Sequence, residues 1–141
     1  MMRTVRIFNA HPKHRLRHAP AAALARRVLA GEGIRDALLG VIFIDDRRMK
    51  SMNTRFLRHR FATDVLTFPL AERGGALEGE VYVNLDQSAR QAEEYHVAFR
   101  EEVSRLVVHG VLHLAGYRDG TERERLGMKR KEDTYLLETT G

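Results

Sequence analysis

The sequence predicts an α+β fold in which about five helices cover a single small mixed β-sheet of about four strands. Short segments with strand character alternate with helical segments in the first half of the chain, and the second half is a succession of helical patterns. Hydrophobic residues make up 43% of the 141 residues and charged residues 30%, with only three prolines. This composition is typical of a folded protein and indicates a single domain over residues 1–141.

Four segments have the composition and pattern of β-strands. Residues 4–9 alternate as a half-buried strand does, and residues 39–44 form a continuous apolar run that suits burial on both faces. Residues 65–68 form a short third strand that Pro69 ends, and residues 81–84 form a fourth.

Helices are predicted between and after these strands. Alanine-rich residues 21–30 have high helix propensity, and Gly31 and Gly33 end that helix. Asp45 or Asp46 caps a second helix that runs to about residue 55, followed by a loop over residues 57–62. Three further helices are predicted over residues 86–95, 99–115 and 122–137.

The charge balance favours a polyanionic partner. The chain has 24 Lys and Arg against 19 Asp and Glu, a net charge of +5. Any single basic cluster is equally well explained as a solvated face, but the sum indicates nucleic acid. There is no cysteine, so a metal must be held by nitrogen and oxygen. The absence of a long apolar run or a signal-like N-terminus predicts a cytoplasmic location.

The segment LVVHGVLHLAG, residues 106–116, is an apolar helical stretch whose only polar side chains are two histidines. At about 100° per residue, His109 and His113 lie about 40° apart on one helix face, a spacing used by zinc sites of the zincin type. Gly116 ends the helix and lets the chain turn, so Asp119 can supply a third ligand. Three protein ligands leave one position for water, which predicts a catalytic zinc site.

This spacing also occurs in zinc proteases, in which a glutamate follows the first histidine and acts as general base. Gly110 stands at that position here. A protease is therefore the least favoured of the hydrolytic functions.

The stretch HGVLHLAGYRD, residues 109–119, resembles the signature HGxLHLxGYDH of the YbeY family of bacterial metal-dependent endoribonucleases. TDVLTFP at residues 63–69 and GEVYVNLDQSARQAEEY at residues 79–95 are similar to two further family segments, so the resemblance covers about residues 41–137. It implies a Zn²⁺-dependent, single-strand-specific endoribonuclease with one ion per chain. It also implies roles in 16S rRNA 3′-end maturation and ribosome quality control, with the small ribosomal subunit and its assembly factors as partners.

This sequence departs from the family pattern at two positions, and each departure leads to an expectation about function. Asp119 stands where the family usually has a histidine, and a carboxylate neutralises one more positive charge, so activity is expected at higher pH. The family often has an arginine after an aromatic residue in an Asn-x-x-Tyr-Arg run, but here Leu57 occupies that position. The basic residues that follow it directly are the candidates for RNA contact: Arg58, His59 and Arg60.

The mechanistic hypothesis gives the metal site the central role. Zinc held by His109, His113 and Asp119 would activate the scissile phosphate or a water, and Arg58 would share the negative charge as a second catalytic group. An alternative function is a ribosome-assembly factor that binds RNA, with the metal serving only stability. A fourth protein ligand would indicate such a structural ion.

Three other groups are assigned structural or surface roles. Thr63 and Asp64 are expected to form a polar turn whose side chains bond backbone amides, and Tyr117 is expected to pack beside the turn that carries Asp119. The histidines near the N-terminus are interleaved with Lys13, Arg15 and Arg17. Repulsion of a cation by these charges favours a solvated or RNA-contacting loop over a second metal site at His11, His14 and His18.

Overall fold

The computed structural model describes residues 2–57, 63–70 and 76–140, with the side chains of residues 56–57 and 138–140 excepted. The described residues form one four-stranded sheet: β1 is Arg3–Asn9, β2 Ala37–Ile44, β3 Val65–Pro69 and β4 Leu77–Asn84. The strand order is β1-β2-β4-β3. β1 and β4 both pair with β2 in parallel, and β3 pairs antiparallel to β4. The predicted mixed sheet is confirmed.

Five α-helices accompany this sheet in the described residues. They are α1 His18–Gly31, α2 Asp46–Met52, α3 Leu85–Tyr95, α4 Phe99–Leu114 and α5 Glu122–Thr140. The predicted α+β class is therefore confirmed. None of these helices is both long enough and apolar enough to cross a lipid bilayer.

Element boundaries differ from the predictions where polar residues lie inside an element. α1 begins at His18 and includes Pro20 in its first turn, where a missing N–H costs no helical hydrogen bond. β4 begins at Leu77, earlier than predicted, because Glu78 and Glu80 alternate with the buried inner face and interrupt the apolar pattern. α2 gives way to a π-helical turn over Asn53–Leu57, so helical backbone continues past the predicted end.

Two predicted helix starts are capped by side chains. The carboxylate of Asp45 accepts a 3.0 Å hydrogen bond from the backbone N–H of Arg48 at the start of α2. The side chain of Asn84 does the same for α3, accepting from the backbone N–H groups of Asp86 and Gln87. These caps place the start of α3 at the carboxyl end of β4.

The core lies between one face of the sheet and the helices, and α4 approaches β4 unusually closely. A Cβ atom on Gly110 would overlap the side chain of Val81 in β4. A Cβ atom on Gly79 would lie 2.8 Å from Cδ1 of Leu114 at the other end of the contact. Because Gly110 faces the sheet, the residues about 60–100° around the helix, including His109 and His113, lie on the flank of α4.

Candidate metal centre

His109 and His113 lie on the same flank of α4, as their spacing predicted. Their ring centroids are 4.6 Å apart with an interplanar angle of 76°. The sheet side of this helix is buried, whereas the side chains of the two histidines are 21% and 25% exposed. Both rings are therefore partly accessible to solvent, and His109 lines a cleft.

The turn after α4 brings Asp119 to these rings. Gly116 adopts a positive φ of 110°, which a residue with a Cβ atom rarely adopts, and the N–H of Tyr117 donates to the carbonyl of Leu112. Asp119 Oδ2 then lies 3.1 Å from His113 Nε2 and 3.4 Å from His109 Nε2. The structure thus brings together the three residues that the sequence singled out.

The spacing of these three donor atoms fits a small divalent ion. All of them lie within 4.8 Å of one another. Two nitrogen or oxygen donors bound at about 2.1 Å to a tetrahedral ion lie about 3.4 Å apart, close to the observed separations. Two neutral imidazoles and one carboxylate are also a common donor set for zinc.

Glu132 on α5 orients His109. Its Oε2 lies 2.7 Å from His109 Nδ1, and its Oε1 accepts a 3.0 Å hydrogen bond from Arg105. The Glu132 side chain is only 8% exposed. A carboxylate at Nδ1 keeps the proton on that nitrogen and leaves the Nε2 lone pair directed at the candidate site.

Sequence reasoning missed Glu132, although one signal for it existed. Met128 and Tyr135, one turn before and one turn after Glu132, are both buried. A glutamate on the buried face of an otherwise charged helix indicates a partner inside the protein.

The electrostatic surroundings of His109 favour its protonated form in the absence of a metal. Burial alone would lower the pKa of His109, but the hydrogen bond to Glu132 and the negative charges of Glu132, Asp119 and Asp64 outweigh it and raise the pKa. The same negative charges attract a cation.

Tyr117 has the structural role predicted for it, and Glu32 is its partner. Glu32, directly after α1, accepts hydrogen bonds from the hydroxyls of Tyr117 at 2.7 Å and Tyr135 at 2.5 Å, and from Lys131 at 3.2 Å. This junction ties the end of α1 to the turn that carries Asp119 and to α5, which carries Glu132. It was not predicted.

The segment between β1 and α1 is a loop whose basic side chains are exposed, as predicted, but its first histidine is not solvated. His11 is only 3% exposed, and its Nε2 lies 2.8 Å from Asp86 Oδ1. The ring of His14 stands 4.8 Å from that of His11, so His11, His14 and Asp86 place potential donor atoms within 4.8 Å of one another. His18 instead begins α1.

Hydrogen bonding argues against a metal at this second group. Nδ1 of His11 accepts from the backbone N–H groups of Lys13 and His14, each at 3.0 Å. The proton must then sit on Nε2 and point to Asp86, so both ring nitrogens are occupied. The buried His11 anchors the segment after β1 to α3.

Three predicted RNA-contacting residues, Arg58, His59 and Arg60, lie outside the described residues. In the turn before β3, the backbone carbonyls of Thr63 and Asp64 accept hydrogen bonds from the Asn84 side chain at 3.1 Å and the Asn84 backbone N–H at 2.8 Å respectively. Asp64 also lines the cleft beside His109 and so is nearer to the site than a simple turn residue.

A family model described as endoribonuclease YbeY matches residues 6–140. The chain belongs to the endoribonuclease YbeY family. The family match extends further toward the N-terminus than the resemblance read from the sequence, which began at about residue 41.

Individual relatives support this family membership. The chain is 38% identical over 133 residues to the endoribonuclease YbeY of Chlorobium phaeovibrioides, covering 94% of this chain and 88% of that protein. It is 36% identical over 138 residues to that of Salinibacter ruber, covering 92% and 88%. The fold is similar to the solution structure of TM1509 from Thermotoga maritima, with a TM-score of 0.64 and 28% identity over 94% of this chain and 87% of that one.

Proposed function

We propose that this protein is a metal-dependent endoribonuclease that cleaves single-stranded RNA at one zinc ion held by His109, His113 and Asp119. The observation that carries the proposal is the convergence of their three donor atoms at the edge of a cleft. Within the described residues this group has three members, which corresponds to the ligand number of catalytic rather than structural zinc sites. Family membership supports the ribonuclease activity.

Each residue has a defined task in this proposal. Nε2 of His109 and Nε2 of His113 hold the ion, and Glu132 keeps the His109 ring in the orientation and tautomer that this requires. Asp119 is 44% exposed at its side chain, so the site opens toward solvent on its side. When bound, the ion would act as a Lewis acid toward a phosphoryl oxygen or a water.

A basic side chain is expected to share the charge that develops on the phosphate. We assign this to Arg58, with His59 and Arg60 as further RNA contacts. They follow the π-helical turn and precede Asp64, which lines the cleft. A guanidinium suits the task because its planar fork can hold two phosphate oxygens.

We further assign the substrate to ribosomal RNA, in 16S 3′-end maturation and ribosome quality control in the cytoplasm. The small ribosomal subunit and its assembly factors would be the partners. The net charge of +5 supports a polyanionic substrate. A peptide substrate is disfavoured, because a side chain at position 110 would run into β4 instead of reaching the site.

The test incubates purified protein with end-labelled single-stranded RNA and with the same RNA as a duplex, with and without a chelator. Bound metal is measured by elemental analysis. Cleavage of the single strand that stops with chelator and returns with zinc is expected. His109→Ala and His113→Ala should lose both metal and cleavage, whereas His18→Ala, an exposed histidine at the start of α1, should keep both.

Full metal content and full cleavage in both α4 variants would contradict the proposal. Metal and RNA binding without cleavage in the unaltered protein would instead favour the assembly factor. The two results separate an enzyme from a binding protein.

A further inference from the structure

A cleft of about 670 Å³ extends from the candidate metal centre along α4, between α3 and α5. His109 and Asp119 line one end of it, and Gln91, Tyr95 and Glu102 line the other. Its volume is within the range of about 300–1,000 Å³ that is typical of small-ligand sites. The proposed metal site occupies only the end lined by His109 and Asp119.

Glu102 faces this cleft from the same flank of α4 as His109. Seven residues separate them, which corresponds to an angular difference of about 20° and a distance of roughly 10 Å along the helix. Glu102 is 3% exposed, and its Oε2 accepts a 2.7 Å hydrogen bond from Gln91 Nε2. Within the described part of the chain, no hydrogen bond engages its other oxygen, Oε1.

This arrangement of Glu102 leaves an acceptor available to a ligand. Oε1 of Glu102 is accessible from the cleft and is not sealed inside the protein, so a group that enters the cleft can donate a hydrogen bond to it. Gln91 is itself held in place, since its Oε1 accepts from Gln87 Nε2 at 3.1 Å. The side chains of Gln91 and Glu102 are therefore held in place, and we call this pair the polar floor of the cleft. It has one oxygen, Glu102 Oε1, that is available as an acceptor.

Tyr95 supplies an aromatic wall beside this floor. It is the last residue of α3 and is 56% exposed. Tyr95 lines the same cleft as Gln91 and Glu102. Partial burial and the negative charges of Glu94, Glu102 and Asp64 raise the pKa of the Tyr95 hydroxyl. An exposed aromatic ring next to a polar floor is a common arrangement for stacking and reading a base.

The charge of this end of the cleft selects the part of RNA that can enter it. Asp64, Glu101 and Glu102 line the cleft. Three basic residues line it too: Arg105 is paired with Glu132 and Asp133, Arg125 donates to the Asp119 carbonyl at the metal end, and Lys129 lies on α5. The carboxylates around Glu102 therefore disfavour a phosphate group at this end. A neutral base with an amino group would instead donate to the free oxygen of Glu102. The backbone phosphate and the base are therefore directed to opposite ends of one cleft.

We propose that the cleft between α3, α4 and α5 is a nucleobase subsite, in which the base of a nucleotide flanking the scissile phosphate stacks on Tyr95 and donates an amino hydrogen to Glu102. This inference rests on the proposed function, since the metal centre sets the position of the RNA. Glu102 and Tyr95 are specificity residues of the site. Adenine, cytosine and guanine are favoured over uracil because each of the three presents an amino group on its pairing edge.

The experiment uses a set of single-stranded RNAs, each with one abasic nucleotide at a successive position around the cleavage site. For the full-length protein, one flanking position should lower kcat/KM by about tenfold, mainly through KM. Tyr95→Ala should remove this dependence, so that intact and abasic RNAs react alike, and Tyr95→Phe should preserve it.

Glu102→Gln provides a readout that a merely structural role would not move. The amide can present a donor in place of an acceptor, so the discrimination against uracil at that position should be lost. Glu93→Gln, which removes one exposed carboxylate from α3 outside the cleft, should keep the original preference. Metal content should stay the same in all variants.

The proposal is overturned if cleavage proceeds with no abasic-sensitive position, if Tyr95→Ala retains the abasic sensitivity of the unaltered protein, or if Glu102→Gln retains its base preference. Absence of RNA cleavage by the metal-loaded protein would overturn the proposed function together with this subsite. The two failures are therefore distinguishable.

Discussion

The carboxylate of Glu132 lies 2.7 Å from Nδ1 of His109, which joins α5 to the flank of α4 that carries the candidate metal centre. Arg105 holds the other oxygen of Glu132 at 3.0 Å and also donates to Asp133 at 2.7 Å. His109 is therefore oriented by an ion-paired, buried carboxylate. This contact makes the proposed metal affinity dependent on a residue that does not touch the ion.

Glu132→Gln is expected to weaken zinc binding by about 10–100-fold, because an amide holds the His109 ring and its tautomer less firmly than a carboxylate. Competition with a chromogenic chelator measures this affinity. Asp133→Asn is the matched control, since it weakens a contact of Arg105 without touching His109. Equal losses in the two variants would show that the Arg105 ion pairs, and not the orientation of His109, control metal binding.

Asp119→His is expected to shift the pH–rate profile of RNA cleavage to lower pH by roughly one unit. Replacing a carboxylate by a neutral imidazole leaves the ion with more positive charge, so the group whose deprotonation controls the rate loses its proton more easily. The measurement is kcat against pH at saturating zinc. An unchanged profile with full metal content would show that the charge of residue 119 does not control the reaction.

Gly110→Ala is expected to destabilise the protein by about 1–3 kcal/mol, because the added methyl group would overlap Val81 and push α4 away from β4. Chemical denaturation measures the free energy of unfolding. Gly127→Ala in α5 is the control: a Cβ atom there meets nothing within 4 Å, and alanine favours the helix by up to about 1 kcal/mol. Equal stabilities of the two variants would argue against close packing at Gly110.

Glu32→Gln is expected to cost about 1–3 kcal/mol at neutral pH, since the amide replaces a charged acceptor of three hydrogen bonds. Burial raises the pKa of Glu32, but hydrogen bonds from Tyr135, Tyr117 and Lys131 outweigh it and hold the pKa below its ordinary value of 4.5. Because the pKa is lower in the folded state, the stabilisation is present above pH 4.5 and is lost as pH falls through the folded-state value.

The measurement for Glu32 is thermal or chemical unfolding of both proteins between neutral and acidic pH. The stability difference should shrink as the carboxylate of the unaltered protein is protonated. The exposed Glu93→Gln should show no comparable difference at any pH. If the stability difference between the two proteins stays constant down to strongly acidic pH, the effect comes from the shape of the Glu32 side chain and not from its charge.

Much of this fold was predictable because its elements follow local rules. The two-residue alternation, the apolar helical faces and the cap at Asp45 are properties of short segments. The two histidines and the turn at Gly116 are equally local, which is why three candidate ligands could be named from one stretch of sequence. The local sequence was therefore sufficient to predict these three residues of the candidate metal centre.

The remaining contacts join residues that are distant along the chain. Glu132 reaches His109 across 23 residues, and Glu32 reaches Tyr117 across 85. The burial of His11 depends on Asp86, which is 75 residues away. Nothing in the local pattern around these residues names the partner, so their roles emerge only from the packing of helices on the sheet.

The three candidate ligands differ in how firmly the fold constrains them. His109 and His113 come from α4, which packs so closely on the sheet that a side chain at Gly110 would overlap β4. Asp119 comes from a surface turn, and its side chain is 44% exposed. Substitutions at position 119 can therefore change the charge of the candidate metal centre without disturbing the core. The reactivity of such a protein could diverge between lineages while its architecture stays the same.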